Sequence, residues 1–329
     1  MEEARAGARG TGVRGWRRGL LATLVASAVV VPLSAAARPE IPAPAPAVLG
    51  PLTAASLDEA YAANRANAAE ASRMAAAHGD RHRASADRAL ATPARHFIAF
   101  DGRGDGRATE VVGDLAHADR VAVLVPGSDT SLDTFERFRA GAAALREELE
   151  RQAPEGTRTA VVAWLGYRTP GTVSATVTTT GRAERAAPHL RDLVRRLHDI
   201  TGPEAHVSLL CHSYGSVVCG RAAAGLDVDD IAIVGSPGTG ADCVDGLRTP
   251  ARVWAALGGD DWVANVPHVS AELLGTTVGF GTDPVSPAFG ARVFAAGTGG
   301  HSDYFTPGSV SLANLARIVL GETSEVTRA

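Results

Sequence analysis

Three residues that could act together in catalysis follow three separate apolar segments of the chain. The first is Ser213, in the sequence C-H-S-Y-G directly after the apolar residues 206–210. A serine on a sharp turn between a strand and a helix projects its hydroxyl above the sheet, and the first amides of the helix point at the same spot. Ser213 is therefore the candidate nucleophile.

The turn around Ser213 requires small neighbours, because the nucleophile in such a turn has a strained backbone. Gly215 meets this requirement, whereas Cys211 stands where glycine is usual. We interpret Cys211 as a small side chain that fills space, so Cys211→Gly should preserve activity. The chain also contains Cys219 and Cys243. One disulfide with a free thiol and three buried thiols remain open alternatives.

A serine hydroxyl needs a base to take its proton, and the base needs a carboxylate to orient it. His301 follows a predicted strand in the sequence G-T-G-G-H-S-D-Y, and Asp260 and Asp261 follow another. We favour Asp261 over Asp260 because it stands two residues before an apolar residue that turns back into the fold. The chain order serine, aspartate, histidine is that of one hydrolase fold and differs from both serine-protease orders.

Backbone amides could stabilise the oxyanion that forms when the serine attacks a carbonyl group. Residues 125–130 (V-P-G-S-D-T) follow a short apolar run of strand length. We predict that the amides of Ser128 and Tyr214 form this oxyanion hole.

Strand-length apolar segments alternate with segments of helical periodicity along most of the chain. This pattern predicts an α/β fold with a mostly parallel central sheet and helices on both faces. Catalysis in such sheets occurs beyond the carboxyl ends of the strands, where the candidate residues stand. The predicted strands are residues 96–100, 109–112, 120–125, 159–164, 206–210, 230–234, 252–257 and 291–295, and the predicted helices are residues 133–151, 182–200, 214–224 and 309–320.

The N-terminal segment resembles an export signal. Arginines precede an apolar run at residues 19–33, and three alanines follow it. We expect a secreted or cell-envelope protein, with an uncleaved membrane anchor as the alternative. The predicted segments are a signal peptide or anchor at 1–37, a Pro/Ala-rich linker at 38–52, a solvated helical arm without a site at 53–95, and a catalytic domain with the α/β fold at 96–322.

Composition and spacing argue against several classes of partner. The 329 residues are 45% hydrophobic and carry a formal net charge of −4, without a basic block beyond the N-terminus, so we expect no nucleic-acid partner. Residues 101–106 (D-G-R-G-D-G) superficially resemble a calcium-binding loop, but Arg103 stands at a ligand position and its side chain has no oxygen to bind Ca²⁺. We therefore predict a hairpin turn there. No carboxylate or cysteine stands at metal-ligand spacing from His78, His82 or His96, so these histidines do not predict a metal site. We expect no metal and no cofactor.

The chain resembles the actinobacterial α/β-hydrolases catalogued as a domain of unknown function, within the lipase and esterase clan. The likeness spans roughly residues 55–320 and rests on ordered motifs, among them F-I-A-F-D-G-R-G-D-G-R, V-P-G-S-D-T-S, L-L-C-H-S-Y-G-S, F-G-T-D-P and G-H-S-D-Y-F. It implies the hydrolase fold, a triad of Ser213, Asp261 and His301, and an oxyanion loop at Gly127 and Ser128.

The predicted function is cleavage of a carboxylic ester through an acyl-enzyme intermediate. Acyl transfer, or cleavage of an amide or thioester, could use the same residues, and a non-catalytic exported binding module is the remaining alternative. Residues 166–181 and 264–286 are candidate pocket walls. Neither has the long apolar helix of a large lipid lid, so we expect a small-molecule substrate with a short or modest acyl group.

Overall fold

Strands and helices alternate along the described part of the chain. The computed structural model describes residues 41–172, 179–266, 270–273 and 276–329, so the predicted export segment at 1–37 lies outside the described residues. The strands are β1 (His96–Asp101), β2 (Arg107–Gly113), β3 (Arg120–Val125), β4 (Thr159–Leu165), β5 (His206–His212), β6 (Asp230–Val234), β7 (Arg252–Ala256), β8 (Ser270–Leu273), β9 (Thr276–Gly279) and β10 (Arg292–Val293). The α-helices are α1 (Leu57–His78), α2 (Arg81–Leu90), α3 (Phe135–Gln152), α4 (Gly181–Thr201), α5 (Gly215–Ala222), α6 (Val244–Leu247) and α7 (Val310–Leu320).

One sheet of eight strands has the order β1-β2-β4-β3-β5-β6-β7-β10, and β8 and β9 form a separate hairpin. Neighbouring strands are parallel from β4 to β10, whereas β1 and β2 add an antiparallel edge. The register pairs Val125 with Cys211, and it pairs Val234 with both His212 and Ala256. The carboxyl ends of β3, β5, β6 and β7 therefore meet at one edge of the sheet.

Helices cover both faces of this sheet. Val121, Val123 and Val125 of β3 belong to one apolar core, and the alternate residues Ala122 and Leu124 belong to the other. The first core includes α4 and α5, and the second includes α3 and α7. The predicted α/β fold, with a mostly parallel sheet between two helical layers, is confirmed.

The segment at 53–95 is helical as predicted, but the expectation that it is a solvated arm is wrong. The α1 helix buries a stripe that includes Ala60, Ala68 and Ala71, and it packs against β1. The side-chain amide of Asn64 donates a 2.8 Å hydrogen bond to the carbonyl of Phe97. Because alanine side chains are small, they let the helix approach the sheet closely. Alanine is also only weakly apolar, so the buried face of this helix is hard to recognise from the pattern of hydrophobic residues in the sequence.

Two local expectations have different outcomes. Residues 101–106 form the predicted hairpin turn, with Asp101 paired to Arg107 across β1 and β2. The strand predicted at 291–295 is shorter, because the amide of Ala295 leaves the sheet and donates to the carbonyl of Thr327.

Within the described ranges, no helix is long and apolar enough to cross a membrane, and no group of three His, Cys, Asp or Glu residues could hold a metal ion.

Candidate active site

Ser213 lies on the turn between β5 and α5 with a left-handed backbone, at a φ of 54°. Its amide donates a 3.0 Å hydrogen bond to the carbonyl of Val234 on the neighbouring strand, which holds the turn against the sheet. A Cβ at Gly215 would lie 2.5 Å from the carbonyl oxygen of Val125 and 2.7 Å from that of Pro126. Ser213 thus has the strained backbone that the sequence led us to expect, and the residue two positions after it must be small.

The structure brings Ser213, His301 and Asp261 together at the carboxyl edge of the sheet. The Oγ of Ser213 lies 2.9 Å from Nε2 of His301, and Nδ1 of His301 lies 2.9 Å from Oδ1 of Asp261. An ionised carboxylate accepts a hydrogen bond from Nδ1–H of the imidazole, so Nε2 carries no proton and can accept one from the serine. Asp261 is 2% exposed, whereas Asp260 points to solvent.

Asp261 has two further hydrogen-bond donors besides the histidine. The amide of Val263 donates to Oδ1 at 2.9 Å, and the hydroxyl of Tyr304 donates to Oδ2 at 2.6 Å. Burial, reinforced by the hydrogen bond to Asp261, raises the pKa of Tyr304, so this hydroxyl remains a donor at neutral pH. No role was expected for Tyr304 from the sequence, although it lies three residues after His301 in the G-H-S-D-Y motif.

His212 lies beneath the histidine of the candidate triad. Its Nε2 lies 2.7 Å from the carbonyl oxygen of His301 and must carry a proton, because that oxygen can only accept. The two imidazole centroids are 4.7 Å apart. Burial, together with the nearby His301, lowers the pKa of His212 to about 4, so this ring is neutral near pH 7. No role was expected for His212 either, although its place beside Ser213 in the C-H-S-Y-G motif was a signal that could have identified it.

The loop after β3 lies directly against the candidate nucleophile. A Cβ at Gly127 would lie 2.6 Å from Cβ of Ser213, so only glycine fits this contact. The next amide along the chain is that of Ser128, and the amide after the nucleophile is that of Tyr214. Among the described residues, neither amide donates a hydrogen bond to a backbone carbonyl, which leaves both free for an oxyanion.

Cys211 forms a disulfide with Cys219, and Cys243 is a free thiol. The first of the two cysteine alternatives is therefore the one that the structure contains. The disulfide joins the carboxyl end of β5 to the middle of α5, and it encloses Ser213 in a loop closed by residues eight positions apart. The interpretation of Cys211 as a space-filling side chain is wrong, because its sulfur crosslinks the two elements that hold the nucleophile.

A family model described as alpha/beta hydrolase matches residues 101–271, just over half of the chain. The chain belongs to the α/β-hydrolase family. The match begins at the hairpin turn after β1 and includes Ser213 and Asp261, whereas His301 lies beyond it.

Mycobacterial proteins resemble this α/β hydrolase. An uncharacterized protein of Mycobacterium tuberculosis is 29% identical over 261 residues, which cover 68% of this chain and 38% of that protein. An uncharacterized protein of Mycobacterium bovis is 32% identical over 204 residues, which cover 57% of this chain and 76% of that protein. The chain thus spans less than half the length of the first of these relatives.

Solved structures resemble the chain with low sequence identity. XC6422 from Xanthomonas campestris, an α/β serine hydrolase without a lid, has a TM-score of 0.42 and 16% identity, covering 70% of this chain and 95% of its own. Esterase PE8 has a TM-score of 0.43 and 17% identity, covering 63% of this chain and 95% of its own.

The chain has a pocket of about 670 Å³ at Ser213 and His301. Its walls are mainly apolar and include the rings of Phe138, Trp262, Phe280 and Phe305. Trp262 is 51% exposed, and its ring centroid lies 4.8 Å from that of His301. Thr172 and Val266 also line the pocket, so both segments predicted as walls contribute to it, while residues 173–178, 267–269, 274 and 275 of those segments lie outside the described residues.

Proposed function

We propose that this α/β hydrolase is a serine esterase that works through an acyl-enzyme intermediate. His301 takes the proton of Ser213 as the serine oxygen attacks the ester carbonyl. The amides of Ser128 and Tyr214 stabilise the tetrahedral oxyanion. His301 then protonates the departing alcohol. In the second half of the reaction His301 takes a proton from water, the water oxygen attacks the acyl carbonyl, and His301 returns the proton to Ser213 as the acid leaves. Asp261 orients His301 and stabilises its protonated form.

The observation that carries this proposal is the continuous hydrogen-bonded chain from Ser213 to His301 and on to Asp261, with each link 2.9 Å long. A nucleophile within hydrogen-bond reach of a base, which is itself oriented by a third group, is the arrangement that covalent catalysis requires. The strained φ of Ser213 and the two free amides support the same assignment. A binding module would have no need for this arrangement.

A fluorophosphonate probe tests the nucleophile directly. We expect the purified protein to be labelled at Ser213, and we expect Ser213→Ala to abolish labelling and to lower kcat on an activated ester on the order of 10⁶-fold. Ser302→Ala is the matched control, because Ser302 is an exposed serine that lines the same pocket. Equal labelling of wild type and Ser213→Ala would overturn the assignment.

The substrate of this proposed esterase is a small molecule with an apolar acyl group of short or medium length. A volume of about 670 Å³ falls within the range of about 300–1,000 Å³ that is usual for small-molecule sites. Each buried methylene contributes roughly 0.8 kcal/mol, which corresponds to about a fourfold gain in kcat/KM. We expect kcat/KM on p-nitrophenyl esters to rise from acetate to hexanoate and then to level off or fall. Steadily rising values up to palmitate would contradict a short or medium acyl group.

We also propose that the chain is exported, through the segment at 1–37. The Cys211–Cys219 disulfide supports this location, because disulfides persist in oxidising compartments and are rare in the cytosol. Expression of the full chain in an actinobacterial host, followed by cell fractionation and N-terminal sequencing, tests it. We expect the protein in the medium or envelope, with a mature N-terminus just after the alanines at 35–37. An intact N-terminus in the cytosolic fraction would contradict export.

A further inference from the structure

A second pocket, of about 310 Å³, lies at the N-terminal turns of α4. We call it the arginine pocket, because its charged lining residues are Arg107, Arg168, Arg182 and Arg185, joined by His189. Among the residues described as lining it there is no carboxylate. The arginines come from β2, from the loop after β4 and from one face of α4, so the tertiary fold gathers them from three elements.

Carboxylates near the arginine pocket neutralise only part of its charge. Asp101 lies 2.9 Å from Arg107, but it also forms a two-pronged ion pair with Arg103. Asp105 pairs with Arg168. These two carboxylates are therefore already shared among three guanidinium groups.

Arg182 and Arg185 add positive charge that no carboxylate of the described residues balances at ion-pair distance. The guanidinium of Arg182 donates instead to the carbonyls of Arg168 and Thr169, the latter at 2.8 Å. Burial lowers the pKa of Arg182, and the positive charges of Arg168 and Arg185 lower it further. The guanidinium groups therefore repel one another, and a bound anion would relieve that repulsion.

We propose that the arginine pocket binds a phosphate group. Guanidinium groups present planar pairs of N–H donors that match the oxygens of phosphate. The N-terminus of α4 adds the positive end of a helix dipole to the same place. A concave pocket of about 310 Å³ suits one phosphate and a small part of the molecule that carries it, and it is too small for a nucleic-acid strand.

The arginine pocket is connected to the candidate oxyanion loop by the segment at 168–172. Thr169, whose carbonyl accepts from Arg182, donates through its hydroxyl to the carbonyl of Thr130 at 2.8 Å. The amide of Asp129 donates to the carbonyl of Pro170 at 3.0 Å. A phosphate held by Arg168 and Arg182 would therefore contact the segment that supports the loop beside Ser213.

Binding measurements with the full-length protein test the proposal in two arms. Isothermal titration with inorganic phosphate examines a free or small-molecule phosphate, and co-sedimentation with phosphatidylglycerol vesicles, against phosphatidylcholine vesicles, examines a lipid headgroup. The main variant is Arg185→Gln, because Arg185 makes no hydrogen bond that supports the fold among the described residues. The matched control is Arg195→Gln on the same helix, where Arg195 pairs with Asp192 at 2.9 Å.

We expect wild type to bind in at least one arm, with the Kd rising about tenfold or more in Arg185→Gln, as for the loss of a charge-assisted hydrogen bond. Arg195→Gln should bind as wild type does. Binding of inorganic phosphate identifies a free phosphate as sufficient, and binding to phosphatidylglycerol vesicles alone identifies a lipid headgroup. Absence of binding in both arms, or an equal loss in Arg195→Gln, would overturn the proposal. These measurements involve no turnover, so their result is independent of the proposed esterase activity.

Discussion

The hydroxyl of Tyr304 donates a 2.6 Å hydrogen bond to Oδ2 of Asp261 and accepts one of 2.9 Å from the amide of Gly258. It thereby joins the carboxylate to the loop that follows β7. This is the position of a group that holds the orienting carboxylate while remaining outside the reacting atoms.

Tyr304→Phe should lower kcat about tenfold and leave KM nearly unchanged, because it removes a hydrogen bond to a charged group and keeps the aromatic ring that lines the pocket. Steady-state kinetics on an activated ester, with circular dichroism as a check on folding, measures this. Tyr61→Phe, in the buried face of α1, removes a tyrosine hydroxyl far along the chain and should leave kcat unchanged. A Tyr304→Phe variant with wild-type kcat would show that Asp261 needs no such support.

Replacing His212 should flatten the dependence of stability on pH in acid. The pKa of His212 is about 4 in the folded state and 6.5 as the ordinary value, so between these values the unfolded state binds more protons. The contribution of neutral His212 is fully present above about pH 6.5 and is lost as the pH falls towards 4. Urea unfolding at pH 7 and pH 4.5 should show that His212→Asn loses about 2 kcal/mol less than wild type across this interval. Parallel losses in the two proteins would contradict the lowered pKa.

Removing the disulfide should reduce stability more than activity. A double variant, Cys211→Ser with Cys219→Ser, should lower the free energy of unfolding by about 2–3 kcal/mol, the effect expected for a short closed loop. Ser213 should keep its conformation, because the hydrogen bond from its amide to the carbonyl of Val234 remains, as do the glycines at 127 and 215. We therefore expect kcat/KM to change less than about tenfold well below the melting temperature.

Thiol titration is the accompanying control. The native wild type should react at Cys243 alone, and the denatured and reduced protein should react at all three cysteines. Three reactive thiols in the non-reduced, denatured protein would show that the disulfide is absent.

Asp87→Asn should stabilise the protein above pH 7. Asp87 is 1% exposed, and one of its carboxylate oxygens has no hydrogen-bond partner among the described residues. Burial raises its pKa from 3.8 to about 7, with Asp133 and Asp80 adding repulsion against the attraction of Arg83. The folded state therefore binds the extra proton between these values, and its stability falls as the pH rises through about 7.

At pH 8 we expect Asp87→Asn to exceed wild type in free energy of unfolding by on the order of 3 kcal/mol, and the difference should vanish near pH 4. Urea unfolding at both values measures it. The exposed Asp58→Asn is the control substitution. A constant difference between Asp87→Asn and wild type at the two pH values would contradict the raised pKa.

The sequence by itself determined the alternating elements and the residues at the strand ends. Ser213 was recognisable because a strand, a small-residue turn and a helix adjoin one another along the chain, and local order carries that information. His301 and Asp261 were placed by their positions after apolar strands, since parallel strands bring their carboxyl ends to one edge. These are properties of short segments and of the chain order.

The tertiary structure alone decided which side chains support those residues. Tyr304 reaches Asp261 across 43 positions of sequence and His212 reaches His301 across 89, and no periodicity encodes such contacts. The pairing of Cys211 with Cys219 and the burial of α1 likewise depend on packing. Local sequence determines the backbone conformation of a segment, whereas a hydrogen bond, a crosslink or a buried face exists only once distant segments have been packed to within a few ångströms of each other.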